Sequence, residues 1–337
     1  MAQARRVTAN VLHRGVNISR FIKNFSFTDN YDQTDCIRLT VADRDMSFIR
    51  DHFPETGEKL QASINVFDWE RTGDNRTLAL GSFEISAISY DGTATIDAVA
   101  VPITASCRSE KKNVPRKNIH LSAIAEDVAG IARIPLFYDT DVDPFYDVAD
   151  QNDKSDLEFL EELCKSDGLC MKVTKRRLAI YEESMYEAMD EVATIERGCS
   201  DLIGEPRFRR NAKDVYKACE ISHFDPKTDR LYTGFFEAPT VGGVGHTLRL
   251  REHFNSESDD MSLDRKAKAR CREKNKWEWT CEMKLKGDII YFSGTNVMLD
   301  GWHIFDGKYH IAKATHKIAT SGGYACALSI RKCLEGY

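Results

Sequence analysis

The chain has 337 residues, 42% hydrophobic and 30% charged, with 47 basic against 53 acidic side chains for a net charge of −6. That length gives two or three domains, and the composition is that of a soluble globular protein. It excludes three classes: no apolar run nears the ~20 residues that cross a bilayer, so no membrane insertion is expected; "MAQARRVTANVLHR" lacks a signal-peptide core, so folding in a cytoplasm is expected; and the acidic balance offers no footprint for nucleic acid.

The chain opens with β patterning. "DCIRLTVAD" (35–43) alternates Ile37, Leu39 and Val41 against Arg38 and Thr40. "EKLQASINVFDW" keeps Leu60, Ala62, Ile64 and Val66 in phase, and "GSFEISAISYDGTATIDAVAVPI" (81–103) gives two strands around an Asp-Gly. Strict alternation marks sheets with one wet face. The basic runs "RSEKKNVPRK" (108–117) and "RFRRNAK" (207–213) read as solvated linkers.

At residue 119 the period becomes helical. "IHLSAIAEDVAG" sets Leu121, Ile124, Ala125 and Val128 on one face, with Gly130 as a candidate stop. "DTDVD" (139–143) starts like a calcium loop, but its sixth position is Pro144 and its twelfth Asp150, so it reads as a chance acidic loop. In "SDLEFLEELCKSDG", Ser155 and Glu158 form a capping box ahead of a buried stripe. "LCMKVTKRRLAIYEE" follows as a strand pair, which makes this segment a small α+β domain.

From about 205 β patterning resumes with "AKDVYKACEIS" and "GHTLRLREHF". "APTVGGVGH" (238–246) lacks the Lys-Ser/Thr of a phosphate loop and reads as a turn. A helix covers about 259–276. "WEWTCEMKLKG" alternates Trp277, Trp279, Cys281, Met283 and Leu285 against polar residues, and two more strand pairs end the chain. The ten cysteines contain no Cys-x-x-Cys and are expected as reduced, mostly buried thiols.

The two β regions correspond. "DCIRLTVAD", "GEKLQASINVF", "GSFEISAISY" and "TATIDAVAV" match "WEWTCEMKLKG", "GDIIYFSGTNVM", "GKYHIAKATHKI" and "YACALSI" in order and character, which predicts an internal structural repeat. Three chains would then present six similar units around an axis.

The ordered set "FSFTDNYDQTDCIRLTVADRD", "SDLEFLEELCKSDGLCMKV", "ARCREKNKWEWTCEMKLKGD" and "FDGKYHIAKATHKI" through "GGYACALSI" resembles the phage late control protein D family, from about residue 16 to the end. These are baseplate hubs of contractile tails, related to the N-terminal part of type VI secretion spike proteins. The resemblance implies a mainly β α+β fold, with two tube-like antiparallel β-barrel domains flanking a small α+β middle domain. Its boundaries are 1–107 for the first barrel, 108–118 for a linker, 119–204 for the middle domain and 205–337 for the second barrel. It further implies a homotrimer that adapts a sixfold tail tube ring to a separate trimeric spike protein, beside other baseplate proteins in a virion or tail-like particle. The spike is expected as a separate chain because this one ends at Tyr337.

Two rival functions are open. A tail-associated cell-wall hydrolase needs two carboxyls flanking a cleft. A metal-dependent module could use "GWHIFDGKYHIAKATH" (301–316): with Asp306-Gly307 as a two-residue turn, His303 faces His310 across the strands. His316 lies about 20 Å further along at ~3.3 Å per residue and cannot join them. A structural zinc site wants four ligands, so the hairpin reads as a barrel anchor. No catalytic residue, cofactor or metal is expected, and neither is sequence-specific nucleic-acid binding.

Overall fold

The computed structural model describes residues 5–31, 34–43, 46–100, 106–174, 177–225, 229–239, 245–252 and 260–337. The fold is α+β and mainly β. A first β unit holds β1 (Arg6–His13), β2 (Val16–Asn17), β3 (Ile22–Asn30), β4 (Cys36–Val41), helix α1 (Ser47–His52), β5 (Lys59–Phe67), β6 (Arg76–Tyr90) and β7 (Ala94–Val99). Its alternation is the reason it forms: Ile37, Leu39, Val41, Ile64, Phe83 and Ile96 all turn into one buried core. Each such side chain stabilises the fold by roughly 1.5–3 kcal/mol when fully buried.

A middle unit follows, with α2 (Ser106–Ser109), β8 (Lys112–His120), α3 (Leu121–Ala132), β9 (Leu136–Asp139), β10 (Phe145–Lys154), α4 (Asp156–Ser166), β11 (Cys170–Val173), β12 (Leu178–Tyr181) and α5 (Glu183–Ala188). The second run read as a linker opens with a strand, Arg207–Arg210; the first is largely strand β8, paired antiparallel with β10. Its basic side chains are engaged locally: Lys112 Nζ lies 2.6 Å from Asp156, and the Arg116 guanidinium lies over the Phe159 ring. Helix α3 runs past Gly130 and ends at Arg133, which takes the left-handed conformation. The Ser155–Glu158 capping box is present, with the Glu158 N–H donating to Ser155 Oγ at 3.3 Å and the Ser155 N–H to Glu158 Oε2 at 2.9 Å.

The rest of the chain holds β13 (Glu191–Glu196), β14 (Arg207–Arg210), β15 (Tyr216–Asp225), β16 (Arg230–Glu237), β17 (His246–Arg251), α6 (Asp260–Asn275), β18 (Trp279–Lys286), β19 (Asn296–Asp300), β20 (Gly307–Ala319) and β21 (Gly323–Lys332). Strands β15–β17 form their own three-stranded sheet under α6, with Cys219, Ile221, Leu263, Ala267 and Cys271 in its core. This layer interrupts the region expected to be one barrel. The second β unit is built instead from β13, β14 and β18–β21 around Cys281, Met283, Leu285, Val297, Ile311 and Leu328.

The two β units share one strand order. The first pairs β3-β4-β7-β6-β5-β1, and the second pairs β14-β18-β21-β20-β19-β13. Counterparts pair with counterparts throughout, except that β13 runs parallel to β19 whereas β1 runs antiparallel to β5. The units merge into a single 13-stranded sheet through β20 and β3, in register from Lys313–Asn30 to Ala319–Asn24.

Candidate functional site

The histidine hairpin is built differently from the sequence expectation. Gly307 pairs with Leu299, so the turn spans 300–306, and His310 faces Asn296. His303 sits in that turn with a φ of 59°. The Asp-Gly signal failed because Asp306 is used otherwise: its carboxylate accepts from the Trp302 N–H at 2.6 Å and closes a wider loop.

His310 and His316 are core residues, each fully buried. The Asn296 amide donates to the carbonyls of Tyr186 and Met189, at 2.7 and 2.8 Å. Its Oδ1 is thereby fixed as the acceptor for His310 Nδ1 at 2.8 Å. Burial lowers the His310 pKa to about 4, and the Arg331 charge adds to the shift. His316 Nε2 lies 2.9 Å from the Tyr291 carbonyl, which can only accept, so Nε2 carries the proton and Nδ1 accepts from the Tyr324 hydroxyl at 2.7 Å. Burial lowers this pKa as well. Among the described residues no group of three or more His, Cys, Asp or Glu side chains is placed to hold a metal ion.

The densest polar constellation joins three units. Arg331 on β21 is fully buried, 2.7 Å from Glu183 and 2.5 Å from Glu187 on α5. Arg272 on α6 reaches Glu187 at 2.5 Å. Just beyond α6, Lys276 reaches Glu183 at 3.4 Å and donates to the Tyr31 hydroxyl at 2.7 Å. Burial alone would raise Glu183, but Arg331, Lys276 and Arg272 outweigh it and hold the carboxyl at about 2. The same opposition lowers Glu187. These carboxylates are committed ion-pair acceptors, unlike the poised acid that hydrolysis requires.

A second junction ties the middle unit to both β units. Lys172 on β11 bonds to Asp29 on β3 and, at 2.6 Å, to Ser293 of the second unit. The Ser293 N–H donates to Asp29 at 2.8 Å. Burial and the neighbouring Asp29 raise Asp35 against the opposing pull of Lys172.

A cleft of about 450 Å³ separates the middle unit from α6, lined among others by Asp167, Cys170, Glu183, Arg265 and Arg272. Asp167 there is paired with Lys266 at 3.1 Å and bonded by the Tyr146 hydroxyl. The calcium-like loop is also committed: Asp143 accepts from the Ser122 N–H and hydroxyl at the start of α3, and Asp139 accepts from Tyr186. Most of the glycines of the 238–246 run lie outside the described residues. All ten cysteines are free thiols.

The exposed face of the second β unit is a shallow trough of about 440 Å³. Small side chains of β21, Ala327 and Ser329, form its floor. Lys313 and Lys317 of β20 stand on one side, Arg207 of β14 and Lys284 of β18 on the other.

No family model and no curated protein sequence matches the chain. Solved structures do match over nearly its whole length. A tail protein of Neisseria meningitidis MC58 is 13% identical, with a TM-score of 0.67, over 97% of this chain and 96% of that one. The 43 kDa tail protein of prophage MuSo2 from Shewanella oneidensis is 14% identical, with a TM-score of 0.68, over 97% of each. An Escherichia coli component of the type VI secretion system, itself described as similar to T4 tail proteins gp27 and gp5, is 12% identical with a TM-score of 0.58, over 97% of this chain and 78% of that one. The chain thus has the fold of phage tail proteins, which it shares with a type VI secretion component.

Proposed function

We propose that the chain is a non-enzymatic baseplate hub of a contractile tail or tail-like particle. It acts as a homotrimeric ring that adapts a sixfold tail tube to a separate threefold spike, beside other baseplate proteins. The observation that carries this reading is the pair of β units with one strand order, hydrogen-bonded into a continuous sheet. Three copies of such a chain offer six near-equivalent units to a hexagonal ring above, while keeping threefold symmetry for a partner below. The whole-chain likeness to tail proteins supports it.

In this reading the β units line the channel, and α5, α6 and the buried charges are joints that keep the peripheral layers in place. The trough puts Arg207, Lys284, Lys313 and Lys317 on the wall of the second unit, beside Glu205 and Glu282. The overall charge of −6 is therefore no guide to the sign of that wall.

Molar mass by light scattering, alone and with the cognate tube and spike proteins, tests the proposal. A trimer in any of these states supports it, and a monomer that ignores both partners overturns it. Clearing of a peptidoglycan suspension by the purified chain would favour the hydrolase instead.

A further inference from the structure

The two β units match below the level of strand order. In the first, the Ile85 carbonyl accepts from the Gly57 N–H and the Ile85 N–H donates to the Glu58 carbonyl, both at 2.9 Å. In the second, the Ile311 carbonyl accepts from the Gly294 N–H at 2.9 Å and the Ile311 N–H donates to the Thr295 carbonyl at 2.8 Å. Both glycines have positive φ, 87° and 86°. A single bulge follows in each strand, between Ile85 and Ala87 in β6 and between Ile311 and Lys313 in β20.

These landmarks align the units residue by residue. Ala87 corresponds to Lys313, Ser89 to Thr315 and Tyr90 to His316. Across the ladders, Ile85 pairs with Ala98 and Ala98 with Ile37, just as Ile311 pairs with Ile330 and Ile330 with Cys281. Ile37 then pairs with Phe27 of β3, and Cys281 with Phe208 of β14. Phe208 is therefore the counterpart of Phe27.

Within the chain, β3 fills the edge of β20 beyond its bulge. Thr28 faces Thr315 and Phe27 faces His316, whose ring stacks on Phe27 with centroids 5.9 Å apart. Among the described residues, no strand fills the counterpart edges: β6 beyond Ile85 is paired with β7 alone, and the backbone of β14, the terminal strand of the sheet, with β18 alone. Tyr90 on that edge is 47% exposed. An open strand edge is a template for another chain.

We propose that β14 of one copy adds to the β6 edge of the next, in the register that β3 takes on β20. Phe208 then faces Tyr90 of the next copy and Arg209 faces Ser89. One residue further on, Arg207 meets the acidic Asp91 of the next copy. The contact is head-to-tail, and such contacts close into rings when the rotation between copies permits. Here the rotation is the one the chain already makes between its own two units. The inference rests on the trimeric reading and adds its surface and register.

The test is a matched cysteine pair, Ser89→Cys with Arg209→Cys. In the template, the Tyr31 N–H donates to Ala312 and the Thr320 N–H to Lys23. That phase makes Thr28–Thr315 a non-hydrogen-bonded pair, with Cα atoms about 4.5 Å apart and within disulfide reach. Under oxidation of the trimer, the matched variant should give a covalent ladder that ends at three chains. The unmodified chain and the shifted pair, Ser89→Cys with Arg207→Cys, should not. A trimer by light scattering without the matched cross-link overturns the edge pairing and leaves the hub reading standing. A monomer in every mixture overturns both. Hydrogen exchange on the unmodified chain is an independent readout: amides at 87–90 and 207–210 should gain protection on trimerisation, and unchanged exchange there overturns the pairing.

Discussion

Arg331 and Glu183 meet at 2.7 Å with both side chains buried, although one stands on β21 of the second β unit and the other on α5 at the end of the middle unit. Glu187 approaches the same guanidinium at 2.5 Å. Removing one partner of a buried pair leaves its charge uncompensated, at a cost of about 3–5 kcal/mol, whereas replacing the set with apolar residues can be neutral. Arg331→Ala should therefore lower the thermal midpoint sharply in calorimetry. Arg331→Met combined with Glu187→Gln, which keeps Glu183 as the partner of Arg272 and Lys276, should recover part of the loss. Equal losses in the single and the combined variants would show that the site depends on shape and not on charge.

The buried histidines and carboxylates set the response to acid. The His310 pKa falls from its ordinary 6.5 to about 4, so the unfolded chain binds a proton between those values and the folded chain does not. Stability from this group is complete above pH 6.5 and is lost as pH falls toward 4. His316 acts in the same direction. Glu183, held at about 2 against an ordinary 4.5, contributes above pH 4.5 and loses that contribution as pH falls through 2. Thermal midpoints should therefore decline from pH 6.5 downward, and the early part of the decline should be shallower in His310→Gln. Because no group of three or more metal-ligating side chains forms among the described residues, a chelator should leave the midpoint at pH 7 unchanged.

The repeat was legible because each β unit writes the same alternation in the same order. The capping box was legible because it is local. What the sequence did not disclose was which strands share a sheet. The alternation of "AKDVYKACEIS" is that of any half-buried strand, and nothing in it says that β15 packs under α6 and not beside β14. The joints were hidden for a related reason. Arg331 falls on the polar phase of "LSIRKCL", yet α5 covers that face and buries it. The His303–His310 pairing failed because a dipeptide turn signal was outweighed by Asp306 capping a longer loop.

Ser155 is buried, and its hydroxyl accepts the Glu158 N–H at the start of α4. That amide has no partner inside the helix. Ser155→Ala should cost about 0.5–2 kcal/mol, and Ser155→Asp should restore most of it, because either side chain can cap. Urea titrations of the three proteins measure this directly. A neutral Ser155→Ala would show that tertiary packing against Phe159 and Leu160 alone fixes the helix start.

Two glycines should respond to the same substitution with opposite signs. Gly234 lies on β16 beneath α6, and a Cβ there would sit 2.2 Å from the Leu263 carbonyl carbon. The obstacle is backbone, so the helix must lift from the sheet, and Gly234→Ala should cost about 1–3 kcal/mol as overpacking. Gly130 lies inside α3, where a Cβ meets nothing within 4 Å and φ is not in the left-handed region. Alanine there should stabilise by about 0.4–1 kcal/mol, since it narrows the unfolded ensemble and suits a helix interior. Limited proteolysis distinguishes the sites as well as the signs: Gly234→Ala should open the 216–275 layer to cleavage first, while Gly130→Ala should leave the cleavage pattern of the parent chain intact. Stabilisation by Gly234→Ala would mean that helix and sheet are further apart in solution than their packing here requires.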